Sequence, residues 1–345
     1  MKIAVDAMGG DHAPGAVVRG AVAAAREGWA EVILVGDSRA IEKELEHGPP
    51  GGKVEIVHTD QVITMDEQPA LAVRRKKEAS IVLATRLVRE GRAQAVVSAG
   101  STGAQMAAAL LILGRSGNIQ RPAIATFLPT LEGPKLLLDA GANVDCRPDH
   151  LYEFAQMGSL YAHKILGVPS PRVGLINVGV EAGKGNELVL QTYELLRNSS
   201  LNFVGNVESR DLPRGVADVY VCDGFTGNVL LKFGEGLALS IFAKIQEEVR
   251  RNFRARLGAA LMLPALRRLK QEVDYAEYGG APLLGVQGIS IICHGSSDER
   301  AIKNAIKVAV RCIQEKLVEN LGHLPGLNSR KKVENCQLKA DMPVS

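Results

Sequence analysis

Cysteine is sparse in this 345-residue chain and never closely paired: Cys146, Cys222, Cys293, Cys312 and Cys336 are odd in number and scattered. That excludes a disulfide framework and a cysteine zinc site, and fits a reducing cytoplasm. No apolar run reaches the ~20 residues of a membrane-spanning helix, and the N-terminus opens directly on a strand pattern, so neither a transmembrane helix nor a signal peptide is expected. Charge of one sign is also lacking. Lys and Arg number 41 against 38 Asp and Glu, a net +3, and no nucleic-acid partner is expected. The seven histidines show no paired metal spacing, so no metal site is expected. His12 and His294 fall in loops, whereas His47, His58, His150, His163 and His323 read as surface or capping residues. Gly179 to Gly185 lacks the spacing of a nucleotide phosphate loop, and no dinucleotide fingerprint follows the first strand. No Gly-x-Ser-x-Gly elbow occurs in a strand-to-helix setting.

What is present is a large apolar fraction, 46%, and 36 glycines. Such a chain can bury the core of one large domain over residues 1–328, or of two intertwined subdomains, with a disordered tail over 329–345. Short β-branched runs alternate with helical ones, which predicts a layered α/β sheet. The predicted strands are Lys2 to Asp6, Glu31 to Val35, Val54 to His58, Ala93 to Ser98, Ala123 to Leu128, Lys135 to Asp139, Arg172 to Val178, Asn202 to Val207, Val219 to Cys222 and Ile289 to Cys293. Leu151, Phe154, Ala155, Tyr161, Ala162 and Ile165 fall on one helical stripe, and Ile302, Ala305, Ile306, Ala309, Ile313 and Leu317 on another. Ser296 with Glu299 reads as a capping box for the second.

Most of these strands run into glycine-and-polar loops that open helices. The first carries Asp6, Gly9, Gly10, Asp11 and His12; taken alone it is equally a plain turn, with Asp11 near a helix start and Pro14 at an early helical position. Others hold Ser98, Gly100, Thr102 and Gly103; Asp139 to Asp145 with Asn143; Gly179 to Glu187 with Lys184 and Asn186; Asp223 to Asn228; and His294 to Asp298. Glycine loops feeding helix N-termini offer free N–H groups and a positive dipole end, which suits phosphate or another anion. Each singly suits a structural turn. Their recurrence on one sheet favours an anion site.

The motifs Asp6 to Pro14, Arg74 to Lys77, Ser98 to Gly103, Gly141 to Asp145, Lys184 to Glu187, Asp223 to Asn228, Tyr275 to Gly285 and His294 to Asp298 occur in one order to about Leu321. Together they resemble the PlsX family of phosphate acyltransferases. The chain departs from that pattern at Ser101, where asparagine is common, and at Val180, where threonine is. The resemblance implies a bacterial enzyme of phospholipid synthesis that moves a long acyl chain from acyl carrier protein to inorganic phosphate, giving acyl phosphate. It implies no cofactor, a homodimer, a membrane glycerol-3-phosphate acyltransferase as partner, and a three-layer α/β/α sandwich with a mixed sheet. That fold is similar to isocitrate and isopropylmalate dehydrogenases and to phosphotransacetylase.

The chemistry agrees with what the loops provide. Phosphate is largely dianionic at neutral pH and needs no strong base, and a pantetheine thiol is a tolerable leaving group. What remains is holding two anions together and stabilising an oxyanion, work suited to Lys184, Asn186, Asn228, Lys232 and His294, with His12 or His294 as proton carriers. Asp6, Asp139, Asp145 and Asp223 read as residues that orient loops and cations.

Between Val249 and Lys270 lie seven cations, among them Arg250, Arg254, Arg267 and Arg268, and no acid. Val249, Phe253, Leu257, Ala260 and Leu261 share an apolar face that Leu263 and Leu266 extend past a break at Pro264. The 249–272 stretch therefore reads as a basic amphipathic helix pair, either packed on a partner subunit or lying on an anionic membrane surface. A lipid product favours the membrane, and so a cytoplasmic, peripherally membrane-associated protein. Arg74, Arg75, Lys76 and Lys77 form either a solvated face or a dock for acidic acyl carrier protein. The other functional classes consistent with the sequence are a decarboxylating dehydrogenase on the same fold and a non-catalytic membrane scaffold.

Overall fold

A computed structural model describes residues 1–46, 51–273 and 275–325, with the side chains of 266–276 excluded. His47, Cys336, the predicted tail and the side chains of Arg267 and Arg268 lie outside the described residues. Two sheets carry the chain. The first is ordered β3 (Val54–His58), β2 (Glu31–Gly36), β1 (Lys2–Asp6), β4 (Ala95–Ser98), β12 (Ile289–Ile292), β11 (Ala281–Leu284), β5 (Ala123–Ile124). The second is ordered β6 (Thr126–Leu128), β7 (Lys135–Leu138), β10 (Val219–Val221), β8 (Arg172–Asn177), β9 (Asn202–Glu208). β11 runs antiparallel to β12 and β5, and β6 antiparallel to β7; the other pairings are parallel.

The single strand expected over Ala123 to Leu128 is thus two strands, divided at Ala125 and given to different sheets. The glycine loops accordingly leave two sheets, not one. β11 is not visible in the sequence pattern. Pro282 and the adjoining Gly279 and Gly280 read as a turn, yet the strand is interior and Pro282 spends its carbonyl on Ala125 N–H at 3.0 Å.

Helices cover both faces of the sheets. α1 (Gly15–Arg26) and α11 (Glu299–Gln314) pack on one face of the first sheet, with α6 (Pro148–Lys164) and α7 (Glu187–Arg197) on the matching face of the second. Ile3, Val5, Leu136, Val173, Phe154 and Ile306 belong to one continuous core beneath them. On the opposite face α4 (Ser80–Arg89) packs against β1, β2 and β4, and α5 (Thr102–Ala108) against α3 (Pro69–Arg75) and α4, while α2 (Ser38–Leu45) lies beside α1 on the first face and flanks β2 and β3. The stripe Leu151 to Ile165 is fully buried. The second stripe divides, because Lys316 adopts a left-handed conformation (φ 51°) and Leu317 begins α12 (Leu317–Gly322). The cap of α11 is Asp298, which accepts Ala301 N–H at 2.9 Å, and not Ser296; an aspartate directly before the first turn takes the bond that a serine two residues earlier would have to reach for.

α8 (Gly224–Arg251) and α9 (Phe253–Val273) project an unusually apolar surface. They meet at Asn252, whose extended backbone ends α8 and whose Oδ1 accepts Arg254 N–H at 2.8 Å. α9 continues through Pro264, so the expected pair is divided at Asn252 instead and Val249 belongs to a different helix from Leu257. α10 (Tyr275–Tyr278) leads into β11. No helix among the described residues is long and apolar enough to cross a membrane.

Candidate active site

Three loops interlock at the carboxyl ends of β1, β4 and β12. Asp6, 3% exposed, accepts Ser98 Oγ–H at 2.7 Å and Met8 N–H at 3.3 Å, while Ser98 Oγ accepts Gly100 N–H at 3.0 Å. Burial pushes the Asp6 carboxyl above its ordinary value, and the hydrogen bonds from Ser80, Ser98 and the Met8 and Gly9 backbone act against that rise. Gly9 is required by close approach, since a Cβ there would lie 2.6 Å from Gly100 N. Gly10 takes φ 108°, and Asp11 N–H donates to Gly295 O at 2.8 Å. Asp6 is therefore a splint between loops. Asp11 and His12 are exposed at the start of α1.

The second sheet supplies a matching splint. Asp139 is wholly buried; Oδ1 accepts the N–H groups of Ile124, Gly141 and Ala142, and Oδ2 accepts Asn143 N–H and Asn143 Nδ2–H at 2.6 and 2.9 Å. Burial raises its carboxyl too, opposed by the hydrogen bonds from Ala142, Asn143 and Ile124. Asn143 also donates to Pro122 O at 2.7 Å, and its own carbonyl accepts Gly224 N–H at 2.7 Å. The N-terminus of α8 is thereby pressed onto this loop. A Cβ on Gly227 would sit 1.9 Å from Asp139 O. Asp223 caps α8, taking Thr226 N–H and Oγ1–H at 2.9 and 2.8 Å.

Between the two sheets opens a cleft of about 420 Å³. Thr102 and Gly103 from the start of α5, Gly141, Asn228 and Lys232 on the first turns of α8, and His294 line its polar side; Met106, Ile124, Phe127, Leu231 and Tyr278 line its apolar side. Phe127 and Tyr278 pack with ring centroids 5.3 Å apart. Asn228 makes no side-chain hydrogen bond among the described residues, so its amide is available to a ligand. Lys232 Nζ is paired with Glu235 at 2.9 Å, both half-exposed. Nδ1 of His294 accepts Ser296 N–H at 3.3 Å and lies 2.8 Å from Ser296 Oγ, which leaves Nε2 to carry the proton of the neutral ring. Ser101, the departure from the family pattern, still caps α5 by accepting Ala104 N–H at 3.3 Å.

The cleft thus gathers Thr102, Gly103, Asn228, Lys232 and His294 of the expected residues, with Ser98, Gly100, Asp6, Gly9 and Gly10 behind its wall. Asn143 and Asp223 shape the wall rather than lining the cleft. Asn186 is the cap of α7, accepting Val189 N–H at 3.0 Å. Lys184 stands exposed on the loop after β8, outside the lining residues and without an ion-pair partner among the described residues. Its loop leaves the same edge as that of β10, the neighbouring parallel strand. His150, read as surface or capping, is a buried cap: Nδ1 accepts Arg147 N–H at 3.2 Å. The apolar side of the cleft was not anticipated, since its members come from five separate elements and no sequence spacing unites them. The half-buried Cys146 and the buried Cys293 are unsuited to attack, with desolvation pushing both thiols up to about 12.

A model of the fatty acid synthesis protein family matches residues 1–320. The phosphate acyltransferase of Moorella thermoacetica is 70% identical over 337 residues, 98% of this chain and 99% of that protein. The phosphate acyltransferase of Heliobacterium modesticaldum is 58% identical over 329 residues, 94% and 98% of the respective chains. In fold the chain resembles a phosphotransacetylase from Streptococcus pyogenes, with a TM-score of 0.63 at 20% identity, covering 91% of this chain and 94% of that one. A branched-chain phosphotransacylase from Enterococcus faecalis gives 0.56 at 16% identity, covering 90% and 98%. Similarity this extensive, on an α/β sandwich whose loops build a donor-rich cleft, establishes that the chain belongs to the PlsX family of phosphate acyltransferases, the fatty acid synthesis proteins.

Proposed function

We propose that the cleft transfers a long acyl chain from acyl carrier protein to inorganic phosphate, releasing acyl phosphate for phosphatidic acid synthesis. The observation that carries this reading is that one cleft is lined both by donors, Thr102, Asn228, Lys232 and His294, and by apolar Met106, Phe127 and Leu231. Phosphate sits against the N-termini of α5 and α8, where N–H groups and dipoles favour an anion. The first carbons of the acyl chain lie along Met106, Phe127 and Leu231. A phosphate oxygen attacks the thioester carbonyl; the C–S bond breaks and the thiolate leaves with its electron pair. The Asn228 amide donates to the oxyanion between these steps, with His294 lining the same cleft. Lys184 brings its unpaired ammonium from the adjoining loop to offset repulsion between the anions.

The surfaces fit the same reading. α3 abuts the cleft, because a Cβ on Gly103 would lie 2.6 Å from Pro69 Cγ. Arg74, Arg75 and Lys77 on and after α3 are exposed, a cationic approach suited to acidic acyl carrier protein. Lys76 is not part of it: its Nζ is turned onto Val62 O at 2.9 Å and Glu67 at 2.8 Å. On α8, Phe233, Leu237, Ile241 and Ile245 recur every fourth residue and are 44–68% exposed, a stripe that a second copy of the chain would cover. On α9, Phe253, Leu257 and Leu261 form a second exposed stripe on a helix that also carries Arg254 and Arg256, with Arg250 at the end of α8, suited to an anionic membrane and to delivery of product to a membrane glycerol-3-phosphate acyltransferase.

Asn228→Ala and Lys184→Ala test the reading. Each is expected to lower kcat/KM for phosphate by ~100-fold, the scale of one lost oxyanion donor, without loss of fold. Near-normal kinetics in Asn228→Ala would place the chemistry elsewhere, and near-normal kinetics in Lys184→Ala would make that lysine a solvated loop residue.

A further inference from the structure

A second cavity, of about 450 Å³, opens beside the cleft and shares Met106 with it. Arg115, Arg121, Arg147 and His150 line it, and among the described residues no carboxylate does. Arginines elsewhere on this protein, such as Arg19, Arg86, Arg92, Arg197 and Arg214, are held by carboxylates. Among the described residues these three are not. Arg115 Nη1 donates to Gln120 O at 3.0 Å and Arg147 Nη2 to Gln120 Oε1 at 2.7 Å, so both are aimed by neutral oxygens that leave their charge uncompensated. Two acids of the adjoining α6 are otherwise committed or peripheral. Glu153, 5% exposed, has its oxygens on Gln120 N–H and Nε2–H at 2.8 and 3.1 Å, and Asp149 lies in the first turn of α6 without lining the cavity.

His150 adds a neutral donor. Its Nδ1 is occupied by Arg147 N–H, so Nε2 carries the proton, and burial together with Arg147 and Arg121 holds the ring below its ordinary value. Gln120 and Asn143 complete the polar lining, and Met106, Leu110, Pro122, Ala142 and Leu283 make its apolar part.

We infer that this cavity is a subsite for the phosphate group on the pantetheine arm of the acyl donor. Three unpaired guanidinium groups and a neutral imidazole N–H suit a phosphate oxyanion, to which arginine binds through paired parallel hydrogen bonds. Free phosphate has the same chemistry, but the position favours the arm. The inference rests on reading the cleft as the thioester site: an arm whose thiol end lies there carries its phosphate at the far end, past Met106, and the apolar lining accommodates its methyl groups.

The test uses two truncated donors, acyl phosphopantetheine and acyl pantetheine, which differ only in the phosphate. The full-length wild-type protein should show a KM ~10-fold lower for the phosphorylated donor, the scale of a charge-assisted hydrogen bond. Arg121→Ala and Arg115→Ala should each abolish that preference, leaving kcat and the KM values for acyl pantetheine and inorganic phosphate unchanged, while Arg121→Lys retains part of it. If the variants raise KM for inorganic phosphate and keep the donor preference, the cavity takes the free anion and the assignment to the arm is wrong. Unchanged constants throughout would show that no phosphate binds there. If wild-type protein used neither donor, the cleft reading would fall and this assignment with it, a result visible without any variant.

Discussion

Replacing Gly227 with alanine probes how the second sheet positions α8. The new Cβ would begin 1.9 Å from Asp139 O, and Cβ atoms essentially never approach within 3.0 Å. Asp139 cannot give way, because its side chain holds five N–H donors. The helix must therefore retreat by about 1 Å at its first turn, carrying Asn228 with it. A misplacement of that size costs roughly 100-fold in rate when the displaced group positions a reaction, and overpacking costs about 1–3 kcal/mol of stability. We expect Gly227→Ala to lower kcat/KM for phosphate by ~100-fold and to unfold at a reduced temperature while remaining folded at 25 °C. Gly234→Ala, on the same helix with nothing within 4 Å of its Cβ, should keep full activity and gain up to about 1 kcal/mol from helix propensity. If the loss operates through Asn228, adding Asn228→Ala to Gly227→Ala should cost little more than either change alone. Full activity in Gly227→Ala, or strict additivity of the two changes, would refute the reasoning.

Leu257→Glu with Leu261→Glu should release the protein from anionic vesicles in a sedimentation assay and leave turnover of soluble substrates largely intact, with wild-type binding weakening at high salt. Loss of the dimer with vesicle binding unchanged would assign the α9 stripe to subunit packing. Asp218 ties the starts of β7, β8 and β10 together through Lys135 at 2.9 Å and Arg172 at 3.0 Å; burial acts to raise its carboxyl, but the Arg172 and Lys135 bonds hold it well below the usual range. Because the folded-state value is depressed, its stabilisation is present above the unfolded value of about 3.9 and is lost as pH falls through the folded one. Asp218→Asn should cost about 2 kcal/mol at neutral pH, a difference that shrinks in acid denaturation below about pH 4, with kcat/KM retained in the folded variant.

The strands were legible wherever a β-branched run was bounded by turn residues, as in β1, β3 and β8. β11 escaped because Pro282 and two glycines look like a turn, and only its neighbours β12 and β5 make it a strand. The division at Ala125 is likewise tertiary: six residues of uniform strand character are shared between sheets by a bend that local propensity does not encode. Pro264 signalled a break, but α9 runs through it and the chain turns at Asn252. In the site, loops rich in glycine showed through because backbone approach demands glycine at Gly9 and Gly227. Which acids act as splints and which line the cleft depends on burial, and Asp6 and Asp139 proved to be splints. The cluster of Arg115, Arg121 and Arg147 was invisible, since only the packing of α6 against the Gln120 segment brings it together.

The most direct test of the account is thiol release from acyl carrier protein by the purified protein, followed with and without inorganic phosphate while phosphorus NMR monitors the products. The account predicts release that requires phosphate, with one acyl phosphate formed per thiol. Release at the same rate in phosphate-free buffer, or release without acyl phosphate, would contradict it.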